Sequence, residues 1–241
     1  MKKRLAATLA TITLAMTAVP ACLKDFPALN RKTSSHAPLT TFDLTTQALP
    51  FGNTAANIAK IQSQSYNGKI RFALIGDNRN SSPFSGNGNK IYAKVIQKVN
   101  AVNPDFVVNV GDFTFDSLPR HWQDFEKVTA SVRVPYLTVV GNHDVIFKRN
   151  YYESRYTPPN PETGLDDYSF NYGNARFVML DDANRTITER QFQWLDKMTQ
   201  TDKKKFVFAH IPPGHAEWKH NLSPSDSVSA RWVTLMEKNK V

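Results

Sequence analysis

Six short apolar runs along the chain have the length and composition of β-strands. They occupy residues 69–75, 106–110, 136–140, 168–170, 176–180 and 206–209. The unbroken stretch Phe72-Ala73-Leu74-Ile75 in the first run is typical of a strand buried on both faces. Turn-forming residues separate the runs, so each is predicted to be a strand of its own.

Helical patterns fill most of the intervals between the predicted strands. In the first helix, Ile91, Val95, Val99 and Val102 recur at helical spacing, which predicts that they share one buried face. The other helical patterns lie at residues 119–132, 189–198 and 228–237. Residues 147–167 are rich in Tyr, Pro, Arg and Asn, which is typical of a long surface loop or lid. Alternating strands and helices predict a layered α/β domain.

Polar side chains that can bind a metal ion follow four of the predicted strands. They are Asp77, Asp112, Asn142 and His210. Taken singly, each could be no more than a turn residue at a strand end. Ligands of α/β sheets bind at the carboxyl ends of the strands, so the four together predict one shared site. Their mixed oxygen and nitrogen ligands suit manganese, iron or zinc.

The first residues of the chain have the pattern of a bacterial secretory signal. A basic start, Met1-Lys2-Lys3-Arg4, precedes an apolar run over residues 5–19 that ends in small residues before Cys22. We therefore expect a signal peptide at residues 1–21 and an exported protein. Cys22 would become the lipidated first residue of a membrane-anchored lipoprotein. Alternatively, plain cleavage would leave a soluble periplasmic or secreted protein.

Composition and charge indicate the domain organisation and the kind of molecule that the protein binds. We predict a tether and irregular lead-in at residues 22–67, followed by one domain at residues 68–241. The apolar and charged fractions are those of an ordered soluble domain. The net charge of +9 suits an anionic substrate or membrane surface. No dense run of Lys and Arg is interleaved with aromatic residues, so nucleic-acid binding is not expected.

Four motifs resemble, in the same order, those of the calcineurin-like metallophosphoesterases. They are Gly76-Asp77-Asn78-Arg79, Gly111-Asp112, Gly141-Asn142-His143-Asp144 and Ala209-His210-Ile211-Pro212-Pro213. The third motif is the most specific, since a Gly-Asp pair alone is common. The resemblance runs from about Ile70 to the end of the chain. It implies an α/β/β/α sandwich, in which helices cover two inner sheets.

The resemblance also implies a reaction and a role for each matching residue. The reaction is hydrolysis of a phosphate ester by two divalent metal ions, with a metal-bound hydroxide as nucleophile. Asp77 would hold the first ion, and Asp112 would bridge both. Asn142 and His210 would hold the second ion. His143 would be the catalytic residue beside the substrate, where it stabilises charge or protonates the leaving oxygen.

Three departures from the family pattern modify these expectations. The family usually has a metal-binding His two residues after Asp77, whereas this chain has Arg79, which cannot be a ligand. Arg79 would either oppose the first ion or bind substrate phosphate. Phe115 stands where purple acid phosphatases carry a ligand Tyr, which disfavours that subgroup. The closing Gly-His-any-His motif is absent, so we expect a C-terminally incomplete sandwich that binds metal weakly.

These departures support an alternative function from a different class. The alternative is an exported, non-catalytic remnant, or a protein that binds phosphate or another ligand and keeps the fold without turnover.

Labelling of the expressed precursor with palmitate tests the predicted anchor. We expect label in the wild-type protein and none in the Cys22→Ala variant, because the Cys22 thiol is the predicted start of the lipidated protein. An unlabelled and freely soluble wild-type protein would instead support plain export.

Overall fold

Two three-stranded sheets form the centre of the fold within residues 48–214, 221–222 and 227–241, which are the residues that the computed structural model describes. The strands are β1 (Phe72–Ile75), β2 (Phe106–Asn109), β3 (Tyr136–Thr138), β4 (Tyr168–Tyr172), β5 (Ala175–Met179) and β6 (Lys204–Phe208). The first sheet is parallel, in the order β1-β2-β3. In the second sheet, β4 and β5 are antiparallel and β6 runs parallel to β5. The predicted signal peptide and Cys22 lie outside the described residues.

Helices pack around both sheets; the first contacts β3 and β4, and the others cover the outer faces. They are α1 (Thr54–Gln62), α2 (Asn87–Val102), α3 (Pro119–Thr129), α4 (Arg149–Arg155), α5 (Glu189–Thr199) and α6 (Ser227–Lys238). One apolar cluster joins α2, α3 and α4 to the first sheet, a second lies between the sheets, and a third joins α5 and α6 to the second sheet. These three clusters give the layer order α/β/β/α, so the predicted fold class is confirmed.

The segment before β1 contains regular structure, whereas the sequence predicted an irregular lead-in. Helix α1 starts at a cap in which the Asn53 side chain accepts a hydrogen bond from the Ala56 N–H. Ile61 of this helix is fully buried in the cluster between the sheets. Leu49 and Phe51 are buried in the cluster beneath α2 and α3. The prediction of an irregular lead-in is therefore wrong for residues 54–62, where these few apolar contacts hold a helix against the core.

Two predictions of buried faces were wrong in part. In α2 the buried side chains are Tyr92, Ile96 and Val99, while Ile91 is 64% exposed. Val99 is buried and Val95 packs against the core as predicted, whereas the two ends of the predicted face, Ile91 and Val102, are exposed. In β1, Leu74 is 55% exposed, because β1 lies at the edge of the sheet formed by the described residues.

The first part of the segment predicted as a surface loop or lid packs into the domain as a helix, whereas residues 156–167 contain no helix or strand, as predicted. Residues 149–155 form α4, and Tyr151, Tyr152 and Tyr156 are buried. The buried carboxylate of Glu126 accepts hydrogen bonds from Arg155 and from the hydroxyls of Tyr151 and Tyr156. These polar partners make burial of the segment favourable, since each charged or hydroxyl group is satisfied. None of the described helices has the length and apolarity needed to cross a membrane.

Aromatic rings fill the space between the two sheets. Phe177 of β5 is fully buried, and its ring centroid lies 5.1 Å from Phe106 of β2. The same ring stacks on Phe170 and Phe206, at centroid distances of 5.0 and 5.2 Å. Phe177 therefore contacts both sheets and fixes the spacing between them.

Truncation of Phe177 should weaken the fold strongly. We expect Phe177→Ala to lower the free energy of unfolding by about 3–5 kcal/mol, because it leaves a cavity between the sheets. Urea unfolding followed by circular dichroism measures the change. Phe84→Ala is the matched control, since Phe84 is 90% exposed. Equal losses in the two variants would show that the inter-sheet contact contributes no stability.

Candidate metal centre

The six residues that the sequence singled out line one cavity at the carboxyl ends of the strands. The cavity has a volume of about 660 Å³. Its lining contains Asp77, Arg79, Asp112, Asn142, His143, Arg185, His210, Ile211 and Pro212. The predicted convergence of the strand ends is therefore observed, whereas the role of each residue stays a prediction.

The backbone at the strand ends adopts conformations that short polar residues and glycine tolerate best. Asp77 and Asp112 have positive φ angles of 51° and 56°, in the left-handed region. Gly111 has a φ of 96°, and a side chain there would meet the Gly141 backbone at 2.7 Å. A Cβ atom on Gly141 would in turn lie 2.2 Å from the Asp112 nitrogen. The ends of β2 and β3 thus approach each other too closely for any larger residue.

The carboxylate of Asp144 joins these two strand ends. It accepts hydrogen bonds from the backbone N–H groups of Asp112, Phe113, Thr114 and Gly141, each at 2.9 Å. Asp144 is fully buried, so these donors take the place of water around its carboxylate. The fourth residue of the Gly-Asn-His-Asp motif therefore positions the loops that carry Asp112 and Asn142, rather than facing the cavity.

The two oxygens of Asp112 face different partners. Its Oδ1 lies 3.2 Å from Nε2 of His210 and accepts the N–H of His143 at 3.1 Å. Its Oδ2 accepts a hydrogen bond from Nε of Arg79 at 2.9 Å. Burial alone would raise the pKa of Asp112, but the hydrogen bonds and charge of its partners, chiefly His210, lower the pKa to about 2. Asp112 is therefore a carboxylate at every physiological pH.

Hydrogen bonds to the backbone orient both histidines toward the cavity. His210 uses Nδ1 to donate to the Val110 carbonyl at 2.7 Å, which leaves Nε2 3.2 Å from Oδ1 of Asn142. His143 uses Nδ1 to donate to the Phe115 carbonyl at 2.6 Å. In both rings Nε2 is the nitrogen that faces the site, as is typical of oriented metal-binding or acid–base histidines.

The donor set fits a divalent metal ion. Asp77, Asp112 and His210 each offer a ligand atom, and these atoms lie within 4.8 Å of one another. Oδ1 of Asn142 adds a fourth donor beside His210. Carboxylate, amide and imidazole donors of this kind suit a first-row divalent ion.

Two residues of the site were missed by sequence reasoning. Asp182 accepts hydrogen bonds from the backbone N–H groups of His210 and Ile211, and so fixes the loop that carries His210. Arg185 lines the cavity from the loop between β5 and α5 that also contains Asp182, in a left-handed conformation with a φ of 61°. The Asp181-Asp182 pair directly after β5 was the available signal, because it is another polar strand end. No comparable signal marks Arg185.

A model of the calcineurin-like phosphoesterase family matches residues 70–240. The chain belongs to this family. Among curated relatives of this phosphoesterase domain, an acid phosphatase type 7 from Danio rerio is 28% identical over 137 residues, which are 52% of this chain and 29% of that protein. A glycerophosphodiester phosphodiesterase from Enterobacter lignolyticus is 28% identical over 134 residues, which are 50% of this chain and 47% of that protein. The chain spans less than half the length of either relative.

Solved structures of phosphatases share the fold of this phosphoesterase domain. A purple acid phosphatase from yellow lupin superposes with a TM-score of 0.55 at 19% identity, over 74% of this chain and 38% of that one. A dimetal phosphatase from Danio rerio superposes with a TM-score of 0.54 at 16% identity, over 70% of this chain and 77% of that one. At these identities the likeness shows the fold alone.

The pairing of His210 with Asp112 should make the stability of the metal-free domain depend on pH. Burial alone would lower the pKa of His210, but Asp112 outweighs burial and raises it from 6.5 to about 9. A raised pKa means that the folded state holds the proton more tightly than the unfolded state. The added stability is therefore fully present below pH 6.5 and is lost as the pH rises through 9.

We expect wild type to lose on the order of 2–3 kcal/mol more unfolding free energy than His210→Gln between these two pH values. Urea unfolding in the presence of a chelator measures the difference. Parallel pH profiles for the two proteins would contradict a charged His210 in the metal-free fold.

Proposed function

We propose that this domain hydrolyses a phosphate ester with the help of divalent metal bound at the candidate centre. The observation that carries the proposal is the convergence of metal ligands, cations and a histidine in one cavity. Asp77, Asp112 and His210 offer the ligands, and Arg79 and Arg185 line the same space. Family membership supports the reaction class, and the acid phosphatase and phosphodiesterase relatives support both monoesters and diesters as substrates.

Asp77, Asp112, Asn142 and His210 would hold the metal. A bound divalent ion lowers the pKa of a coordinated water, which can then attack phosphorus, and it offsets the charge of the phosphoryl group. The family resemblance implies two ions that share Asp112. The ligands among the described residues can complete one metal position better than two, because Arg79 already donates a hydrogen bond to one oxygen of Asp112.

The cationic side chains of the cavity would bind the phosphoryl group itself. Arg79 and Arg185 both line the cavity, and a guanidinium can form two parallel hydrogen bonds to phosphate oxygens. Binding here orients the ester against the metal ligands and excludes part of its water shell. The overall charge of +9 also favours the approach of an anionic substrate.

His143 would act on the leaving oxygen of the ester. Its Nε2 lies 4.0 Å from Oδ2 of Asp112, and its side chain is 25% exposed toward the cavity. The Nδ1 bond to the Phe115 carbonyl holds the ring so that Nε2 can carry a proton to the substrate. The same nitrogen can instead donate a hydrogen bond that stabilises developing negative charge.

A phosphate-binding protein without turnover is the second candidate. The contact between Arg79 and Asp112 favours it, since this contact engages a carboxylate oxygen that metal would otherwise use. Such a protein would bind inorganic phosphate through Arg79 and Arg185, and would show no hydrolysis with any metal.

Two substitutions separate the metal ligands from the proton donor. With manganese, iron or zinc present, we expect His143→Ala to lower kcat/KM by roughly 10²–10⁴ and to leave the metal content unchanged. Asp112→Asn should lower both metal content and activity, and its activity should fall further than that of His143→Ala, because it removes a charged ligand. The assays use a chromogenic phosphomonoester and a chromogenic diester, together with metal analysis of the desalted protein.

Asp124→Asn is the matched control, since Asp124 is an exposed carboxylate of α3. Normal metal content in Asp112→Asn would contradict its role as a ligand. Phosphate binding by wild type without hydrolysis in any of these assays would favour the second candidate.

A further inference from the structure

Several contacts hold Arg79 in place in the loop that follows β1. Its backbone N–H donates to the Asp112 carbonyl at 3.0 Å, and its Nη1 donates to the Asn80 carbonyl at 3.3 Å. The guanidinium carbon lies 5.7 Å from the centre of the Phe115 ring, within the range of a cation–π contact. Gly88 packs against the Arg79 carbonyl so closely that a Cβ atom there would lie at 2.4 Å. The position of the guanidinium is thus fixed by both its backbone and its side chain.

The two oxygens of Asp112 have different partners, and one of these partners is the guanidinium of Arg79. Arg79 donates through Nε to Oδ2 at 2.9 Å, on the side away from His210. Oδ1 faces Nε2 of His210, which also lies 3.2 Å from Oδ1 of Asn142. A carboxylate can bridge two ions through one oxygen or through both, and in either case the two cations share its negative charge. In this chain the second oxygen already has a cationic partner.

The ligands within the described part of the chain suffice for one ion. Asp77, Asp112, Asn142 and His210 supply four donors around a single position, which leaves room for water or substrate. A second ion would have to share both carboxylates with the first ion, and share the negative charge of Asp112 with Arg79 as well. It would also stand beside the guanidinium of Arg79, whose positive charge would repel it.

We propose that this site binds one divalent ion, and that the guanidinium of Arg79 takes the place of the second. This inference rests on the proposed phosphoesterase function and deepens it. Asp112 and Asn80 use two of the five N–H donors of Arg79, which leaves three for phosphoryl oxygens. The arginine thereby bridges Asp112 and the substrate, and supplies positive charge that does not depend on metal supply.

Manganese stoichiometry and electron paramagnetic resonance of the full chain test the inference. We expect wild type to bind about one manganese with an isolated six-line spectrum, because Arg79 blocks the second position. Arg79→His replaces the cation with a ligand, so we expect about two manganese ions per chain and an exchange-coupled spectrum, since paired ions stand about 3.5–4 Å apart. Arg79→Lys keeps a cation and should stay at about one ion.

Arg71→His is the matched control, since it adds a histidine at the exposed start of the same strand region. It should leave the stoichiometry of wild type unchanged. Thermal unfolding of each variant confirms that the fold is retained. Should Arg79→His not fold, Arg79→Gln removes the charge with a similar shape, and a second, weaker manganese ion is then expected.

Different failures point to different errors. Two coupled ions in wild type with normal turnover would overturn the one-ion inference and leave the proposed function intact. A single ion in folded Arg79→His or Arg79→Gln would show that Arg79 is not what excludes the second. Absence of both metal and hydrolysis in wild type would overturn the proposed function, and the inference with it.

Discussion

The buried carboxylate of Asp144 is the constraint on which the geometry of the site depends. Four backbone N–H groups from the ends of β2 and β3 converge on it, and Asp112 supplies one of them. Without this acceptor, those N–H groups would be buried without partners, at a cost of about 1–3 kcal/mol each. Gly111 and Gly141 have no side chains, so the two strand ends can approach this closely. Asp144 then holds the loops at this distance. The candidate metal ligands at the ends of β2 and β3 are thereby held at a fixed distance from each other.

The packing between the two sheets is a second constraint on the geometry of the site. Asp77, Asp112 and Asn142 follow strands of the first sheet, whereas His210 follows β6 of the second. The distance from His210 to Asp112 is therefore set by the aromatic layer around Phe177 as well as by direct contact. Asp182 adds a local restraint, since it holds the backbone of the His210 loop. A change in the core can thus alter the site without touching a ligand.

The site residues at the strand ends could be predicted from the sequence because each belongs to a short motif that directly follows a buried strand. A buried strand followed by Gly-Asp or Gly-Asn-His-Asp indicates both the turn and the ligand, and the structure brings Asp77, Asp112, Asn142 and His210 together as expected. The layered α/β class followed from the alternation of strands and helices. Both depend on patterns only a few residues long.

What the sequence did not indicate depends on tertiary contacts. The face of α2 that is buried is decided by where the helix meets the sheet, so Tyr92 is covered and Ile91 is exposed. The Tyr-rich segment packs inward because Glu126, on a helix about 25 residues earlier in the chain, accepts hydrogen bonds from its tyrosine hydroxyls. Arg185 reaches the cavity through the path of its loop rather than through any motif. The contact of Arg79 with Asp112 joins residues 33 positions apart.

The hydrogen bond from His210 to the Val110 carbonyl closes a loop of 100 residues. Contacts of such long sequence separation form late in folding, because the entropy of closing the loop must be lost before they add stability. The unfolded chain therefore has no preassembled binding site, and metal affinity becomes a property of the completed fold. If these contacts form after the folding nucleus, added metal would slow unfolding more than it speeds folding.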